Sequence, residues 1–217
     1  MHNNKLSEAI ELLGNSKSKK RESGAKRLRK LADIEAGSAL LAALKKEMKD
    51  KRTWACQYHM ILALGFCSYE ESLPYLLELG GEEFNATILY RGIGDAIFRL
   101  SLLDNTIESS IEKVCSFDNF KLMAGAFTAL AMLQMIPNDQ YIKKIIKLAR
   151  DPRAAQEVRG HPRDNVGFRK WVATASAGWK DELKRDFLNE CLEFDDQHLK
   201  LAANSALLGK YEKWLPY

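Results

Sequence analysis

The feature that most constrains what this chain can fold into is a turn signal that recurs along it. Apolar stretches of helical period end near Asp33, Ser68, Asp104, Asn138 and Asp181, at spacings of 35, 36, 34 and 43 residues. Asp, Ser and Asn each carry a short side-chain oxygen that can accept a backbone N–H where a helix begins. After each of these residues a shorter periodic stretch follows: Ile34 to Met48, Tyr69 to Leu79, Thr106 to Cys115, Asp139 to Arg150 and Glu182 to Phe194. A hairpin of one long and one short helix cannot hide its apolar face alone, but stacked neighbours share a continuous core. The pattern predicts an all-α chain, an α-solenoid of about five stacked helical hairpins.

Asp50 to Gly81 shows the local chemistry expected of one such unit. Asp50 can cap the first helix, and Ser68 with Glu71 three residues on forms a capping-box pattern at the second. Gly80 and Gly81 are placed to take the left-handed conformation after the helix. Residues 1–15 are expected to hold a capping helix, Leu6 to Leu13, ended by Gly14 and Asn15. Residues 151–164, DPRAAQEVRGHPRD, have two prolines and no apolar period, which predicts an inserted loop and explains the longer spacing. A last helix, Gln197 to Trp214, is expected to close the stack before Pro216, so that 1–217 form a single domain.

No apolar run approaches the ~20 residues of a membrane span, and the N-terminus lacks the apolar block of a signal peptide. Both point to a cytoplasmic protein. Cys56, Cys67, Cys115 and Cys191 are scattered, so reduced and mostly buried thiols are expected. Cys56 and His59 share a helical face, but nothing completes a metal set. Phosphate-binding glycine loops, H-E-x-x-H, G-x-S-x-G and catalytic Cys/His patterns are all missing from the sequence. The expectation is therefore a non-enzymatic chain with no cofactor and no metal.

The segments ESGAKRLRKLAD with AGSALLAALKKE, RTWACQYHMILALG with SLPYLLELG, and FRKWVATASAGW with LKRDFLNECLEF resemble HEAT-like (armadillo-type) repeats. In that class an A helix with small residues packs against a B helix across an Asp-type turn. The resemblance spans residues 17 to 214, although the period is shorter than the ~40 to 47 residues usual for HEAT.

Charge is distributed in blocks. Residues 1–52 carry +7, 53–131 carry −6, 132–180 carry +6 and 181–217 carry −3. A chain built to track a phosphate backbone keeps one basic stripe, and this one alternates. The acidic block supplies Glu70, Glu71, Glu78, Glu82 and Glu83, followed by Glu108 and Glu112. Arg91, Asp95 and Arg99 fall on one helical stripe, where two arginines are expected to hold the carboxylate ionised. The glycines Gly92 and Gly94 beside them point to a close backbone approach. The densest basic run is Lys17, Lys19, Lys20, Arg21, Lys26, Arg27, Arg29 and Lys30. A second basic group is Lys143, Lys144, Lys147 and Arg150, with Arg153, Arg159, His161 and Arg163 following. Short helices of such stacks line the concave face, which makes this group a candidate positive end of a groove. Trp54, Trp171, Trp179 and Trp214 are expected mainly in the core, with Trp171 also a candidate interface anchor.

These features favour a protein-binding solenoid. HEAT-like proteins of this size include immunity proteins that occlude a cognate toxin, such as a nuclease of contact-dependent inhibition. The resemblance implies a toxin domain as partner, with Glu70, Glu71, Glu78, Glu108 and Glu112 meeting its basic surface. Arg91, Asp95, Lys143, Lys147, Arg150 and Trp171 complete the candidate partner-binding set. The alternatives are an enzyme resembling alkylpurine DNA glycosylases, drawing on Trp54, Arg91, Asp95 and Trp171, and an assembly scaffold of the same repeat class.

Overall fold

A computed structural model describes residues 2–156 and 167–212, and among them every regular element is helical. The chain comprises two compact units, Met1–Asn105 and Thr106–Tyr217. The first holds α1 (His2–Leu13), α2 (Ser18–Leu31), α3 (Gly37–Glu47), α4 (Trp54–Phe66), α5 (Leu73–Gly80) and α6 (Ile88–Ser101). In it α1, α2, α4 and α6 pack side by side, while α3 lies against α4 and α5 against α6. The second holds α7 (Ile107–Cys115), α8 (Phe120–Met132), α9 (Asp139–Ala149), a short α10 (Arg153–Gln156), α11 (Phe168–Ala175), α12 (Asp181–Glu193) and α13 (Gln197–Leu207). There α8, α11 and α13 form one row, with α9 and α12 packed beside it. Each unit is thus a stack of helical hairpins, the α-solenoid arrangement that the recurring turns predict, although in the last hairpin the expected lengths are reversed, α11 having 8 residues and α12 13.

Composition explains which helices sit inside. In α4, WACQYHMILALGF, every residue from Cys56 to Gly65 is buried, as a helix apolar all round requires. α9 is two-faced: Tyr141, Ile142, Ile145, Ile146 and Ala149 are buried, and Lys143, Lys144 and Lys147 face solvent. Small residues let α4 and α6 approach closely. A Cβ on Gly65 would stand 2.8 Å from Ala96 Cα, and one on Gly92 would stand 2.8 Å from the Tyr58 ring. The close approach expected at Gly92 is therefore made by Tyr58.

Three of the turn residues act otherwise than expected. Asp33 and Asn138 do cap, accepting from Glu35 N and Tyr141 N, and Asp50 accepts from Arg52 N ahead of α4. Ser68 instead closes α4 in the left-handed conformation, with φ of 54°, and Tyr69 N–H returns to Leu64 O at 3.3 Å. That is the Schellman geometry; it takes Ser68 away from the next helix start, so the capping box with Glu71 does not form. Asp104 is not a cap either, because Thr106 accepts from Ser109 N for α7. Asp181 lies inside the first turn of α12, after Lys180, where its charge suits the helix N-terminus. Gly81 has φ of −88°, so the expected left-handed glycine closure of α5 is absent.

Helix ends are satisfied across hairpins. Gln57 of α4 donates to Glu47 O and Asp50 O after α3, at 3.0 and 2.9 Å. Arg169 of α11 donates to Ala149 O, the last residue of α9, at 2.8 Å. Lys184 of α12 donates to Ala177 O and to Ala206 O near the end of α13. The orphan carbonyls of one helix thus fix the position of the next.

Candidate partner-binding surfaces

The acidic residues divide by role. Glu70 and Glu71 lie exposed in the 3-10 turn Glu70–Ser72 that leads into α5, and Glu78 is exposed on α5 itself. Glu70 stands beside Asp104, which follows α6. The neighbouring Asp104 first, and the negative charge of Glu71 after it, push its carboxyl above the ordinary range. Like charges are therefore held together at the surface here. Glu78 adds negative field at Tyr75, whose ring Lys45 approaches to 5.2 Å.

Glu108 and Glu112 belong to the second unit. Glu108 accepts from both the backbone N and Nδ2 of Asn138, each at 2.9 Å, and those bonds hold its pKa low. It ties α7 to the start of α9. Glu112 is exposed, with the Tyr141 phenol near it pushed up by burial first and Glu112 second.

In the basic group, Lys143 and Lys147 are exposed on α9. Arg150 is engaged within its own unit by a two-pronged pair with Glu190 at 2.9 and 2.6 Å. Arg153 bonds Asp151 and Asp118. Arg159, His161, Arg163 and Trp214 lie outside the described residues. Within the α2 run, Arg21 is absorbed by Glu47 at 2.6 and 2.8 Å, and Lys26 by Glu22 at 2.6 Å.

Trp171 is 1% exposed, fully inside the second unit's core, because α11 is enclosed by α8, α9 and α13. The interface role expected for it has no surface to act through. Trp54 reverses the core expectation: at the first position of α4 it is 47% exposed.

Sequence spacing places Arg91, Asp95 and Arg99 on one stripe of α6, and the structure adds partners that spacing does not show. Asp95 is 2% exposed and accepts from Arg99 Nε at 2.6 Å. Burial raises its pKa, opposed by the charges of Arg99, Arg91 and Arg29. The arginines of the stripe favour its ionised form, as expected, while removal from water works against it. Arg99 lies over the Phe66 ring at 4.1 Å, and Arg29, from α2, approaches the same ring at 6.0 Å. Side chains of α2 and α6 therefore converge over α4, which helps to bury its stretch from Cys56 to Gly65. Within that stretch, His59 is 2% exposed, with Nε2 3.9 Å from Glu22 Oε1.

A shallow groove near the chain start, between α1 and α3, is lined by Ile10, Leu13, Ala39, Ala42 and Ala43 above the Arg21–Glu47 pair. Cys56, Cys67 and Cys191 are buried, and burial pushes the Cys56 thiol up to about 12 and that of Cys67 to about 11. No helix among the described residues is long and apolar enough to cross a membrane.

No family model and no curated protein matches the chain. Among solved structures, an engineered protein is similar at a TM-score of 0.42 and 16% identity, over 95% of this chain and 98% of that one. A designed armadillo repeat protein, YIII(Dq)4CqI, is similar at 0.41 and 15% identity, over 94% and 99%. At such scores neither neighbour bears on function, and the all-α hairpin-stack class rests on the helices themselves.

Proposed function

We propose that this chain is a non-enzymatic protein-binding module of the cytoplasm, in which residues 1–217 act as one domain and whose acidic row in the first unit docks a basic protein surface. The observation that supports this reading is the exposed Glu70–Asp104 contact, flanked by Glu71 and Glu78. Two carboxylates held side by side in solvent repel each other, and a lysine or arginine from a partner converts that repulsion into attraction. In its finer form the partner is a toxin domain, and the chain is an immunity or inhibitor protein that covers the toxin's basic substrate-binding surface. Lys143 and Lys147, exposed in the second unit, would meet acidic patches of the same partner and set register.

The glycosylase-like alternative draws on Trp54, Arg91, Asp95 and Trp171. Trp171 is enclosed in the second unit's core and Asp95 is closed over by Arg99, so no observation favours it.

The test compares the wild-type chain with the triple variant Glu70→Lys, Glu71→Lys, Glu78→Lys as baits in native host lysate. A protein recovered at ~50 mM salt with the wild type, released by salt and lost from the variant, supports the reading. Recovery of nucleic acid without protein, or equal recovery by a variant with unchanged circular dichroism, overturns it.

A further inference from the structure

The edge of the first unit where α2 begins, α3 ends and α4 begins gathers cations that have no partner within the unit. Arg21, in the first turn of α2, is bonded to Glu47 at the end of α3 at 2.6 and 2.8 Å. Gln57 of α4 donates to Glu47 O and Asp50 O, so the starts of α2 and α4 are tied to the same helix end. Lys17, Lys19 and Lys20 on the α2 side and Lys46, Lys49 and Lys51 on the α3–α4 side are all exposed. None of these six lysines makes an ion pair among the described residues. The two carboxylates at this edge, Glu47 and Asp50, are already taken by Arg21 and Arg52.

Stability does not explain the excess. Lys46 and Lys49 suit the C-terminal end of α3, but Lys17, Lys19 and Lys20 stand at the N-terminal end of α2, where the helix dipole disfavours positive charge. α2 has no acidic residue in its first turn and no side-chain cap to offset them. The same edge exposes an aromatic ring: Trp54, the first residue of α4, is 47% exposed. Its ring meets no other ring and no cation among the described residues. Ile34, also exposed, lies at the far turn between α2 and α3.

The chemistry selects among anionic partners. Carboxylates of a protein are matched best by the planar fork of arginine, and lysine is depleted in protein interfaces. Here both arginines are consumed and mobile point charges remain, the form suited to a chain of phosphates. A membrane surface takes a whole apolar helix face, and this edge offers one side chain. An exposed ring suits an unpaired base, since every base has a face to stack, whereas paired bases are stacked on one another.

We infer that this edge binds a single-stranded nucleic acid, with one base stacked on Trp54 and the neighbouring phosphates held by the lysines on either side. A strand of a few nucleotides stays within this one basic block, so no basic stripe along the whole chain is required. α4 and α6 run parallel, with Gly92 against Tyr58 and Gly65 against Ala96, so the end of α5 comes next along the edge. Its Glu78, with Glu82 and Glu83 after it, bounds the site on that side. Glu70 and Glu71 stand at the other end of α4, and the site is independent of them.

The experiment is fluorescence anisotropy of a labelled deoxythymidine decamer and, separately, a uridine decamer, titrated with the full chain. Saturable binding with a Kd below ~100 μM at ~50 mM salt is expected for at least one of them. It weakens about 20-fold at ~150 mM salt, as about four neutralised phosphates require. Trp54→Ala weakens binding ~5-fold or more with the salt dependence unchanged, and Trp54→Phe, which keeps a stacking face, restores most of it. The double variant Lys19→Gln, Lys20→Gln weakens binding and makes it less salt-dependent. These side chains are exposed, so the variants are expected to keep the wild-type circular dichroism. Tighter binding of the uridine strand assigns RNA and of the thymidine strand DNA; either supports the inference. No saturable binding up to ~100 μM chain at ~50 mM salt overturns it. So does wild-type affinity in Trp54→Ala, or equal affinity for a hairpin duplex of the same strand length. Tighter binding of a glutamate decamer or of phosphatidylserine vesicles also overturns it, and would assign the edge to an acidic protein or to a membrane.

Discussion

His59 makes the chain's stability depend on mildly acidic pH. Its ring is 2% exposed, and burial, with Lys26 and Arg29 nearby, lowers its pKa to about 4 from an ordinary 6.5; only Glu22 opposes this. A depressed histidine pKa means that the unfolded chain takes the proton first. The stability is therefore fully present above the unfolded value and is lost as pH falls from about 6.5 toward 4. Proton linkage across that gap gives a loss of about 2 kcal/mol between pH 7 and pH 5 and about 3.4 kcal/mol once both states are protonated. Other groups titrate in the same window, so the informative quantity is the difference between the wild type and His59→Gln, which cannot gain the charge. Urea unfolding of both proteins, followed by far-ultraviolet circular dichroism at pH 7 and pH 5, measures it. The variant's packing cost is the same at both values, so its stability relative to wild type rises by about 2 kcal/mol on acidification. A relative stability constant within ~0.5 kcal/mol would refute the reasoning, because Glu22 would then be neutralising a protonated ring at 3.9 Å as well as water does.

Further outcomes follow from packing. Gly65→Ala places a methyl against the Ala96 backbone, where no side-chain rotation relieves it. A loss of about 1–3 kcal/mol is expected in the urea midpoint, and an unchanged midpoint would show that α4 and α6 separate freely. Trp171→Ala opens the core of the second unit, with about 3–5 kcal/mol expected, whereas Trp54→Ala, 47% exposed, stays below about 1 kcal/mol. Paired thermal melts check this, and equal costs would contradict the assigned burial.

Much of the architecture was legible along the chain. The recurring turns located the second helix of all five hairpins, and the caps at Asp33, Asp50 and Asn138 form as their residue types indicate. Errors fell where one residue had two possible uses. Ser68 has the chemistry of an N-cap but ends the preceding helix at φ of 54°, and which helix claims it is decided by the packing of both. Site residues were less legible. Glu108 and Arg150 looked available for a partner but are occupied by Asn138 and Glu190, neighbours 30 and 40 residues away.

What the sequence by itself determined is periodic and local: all-α class, the hairpin period, the amphipathic face of α9, and the stripe that aligns Arg91, Asp95 and Arg99. These depend on residues within a turn or two of one another, whose relation the helical repeat fixes. Only the tertiary structure decided that Arg29 joins that stripe over Phe66, that Asp95 is buried there with a raised pKa, and that Trp171 is core while Trp54 is surface. The physical reason is that burial and charge pairing depend on distance in space, and α2, α4 and α6 become neighbours only once stacked.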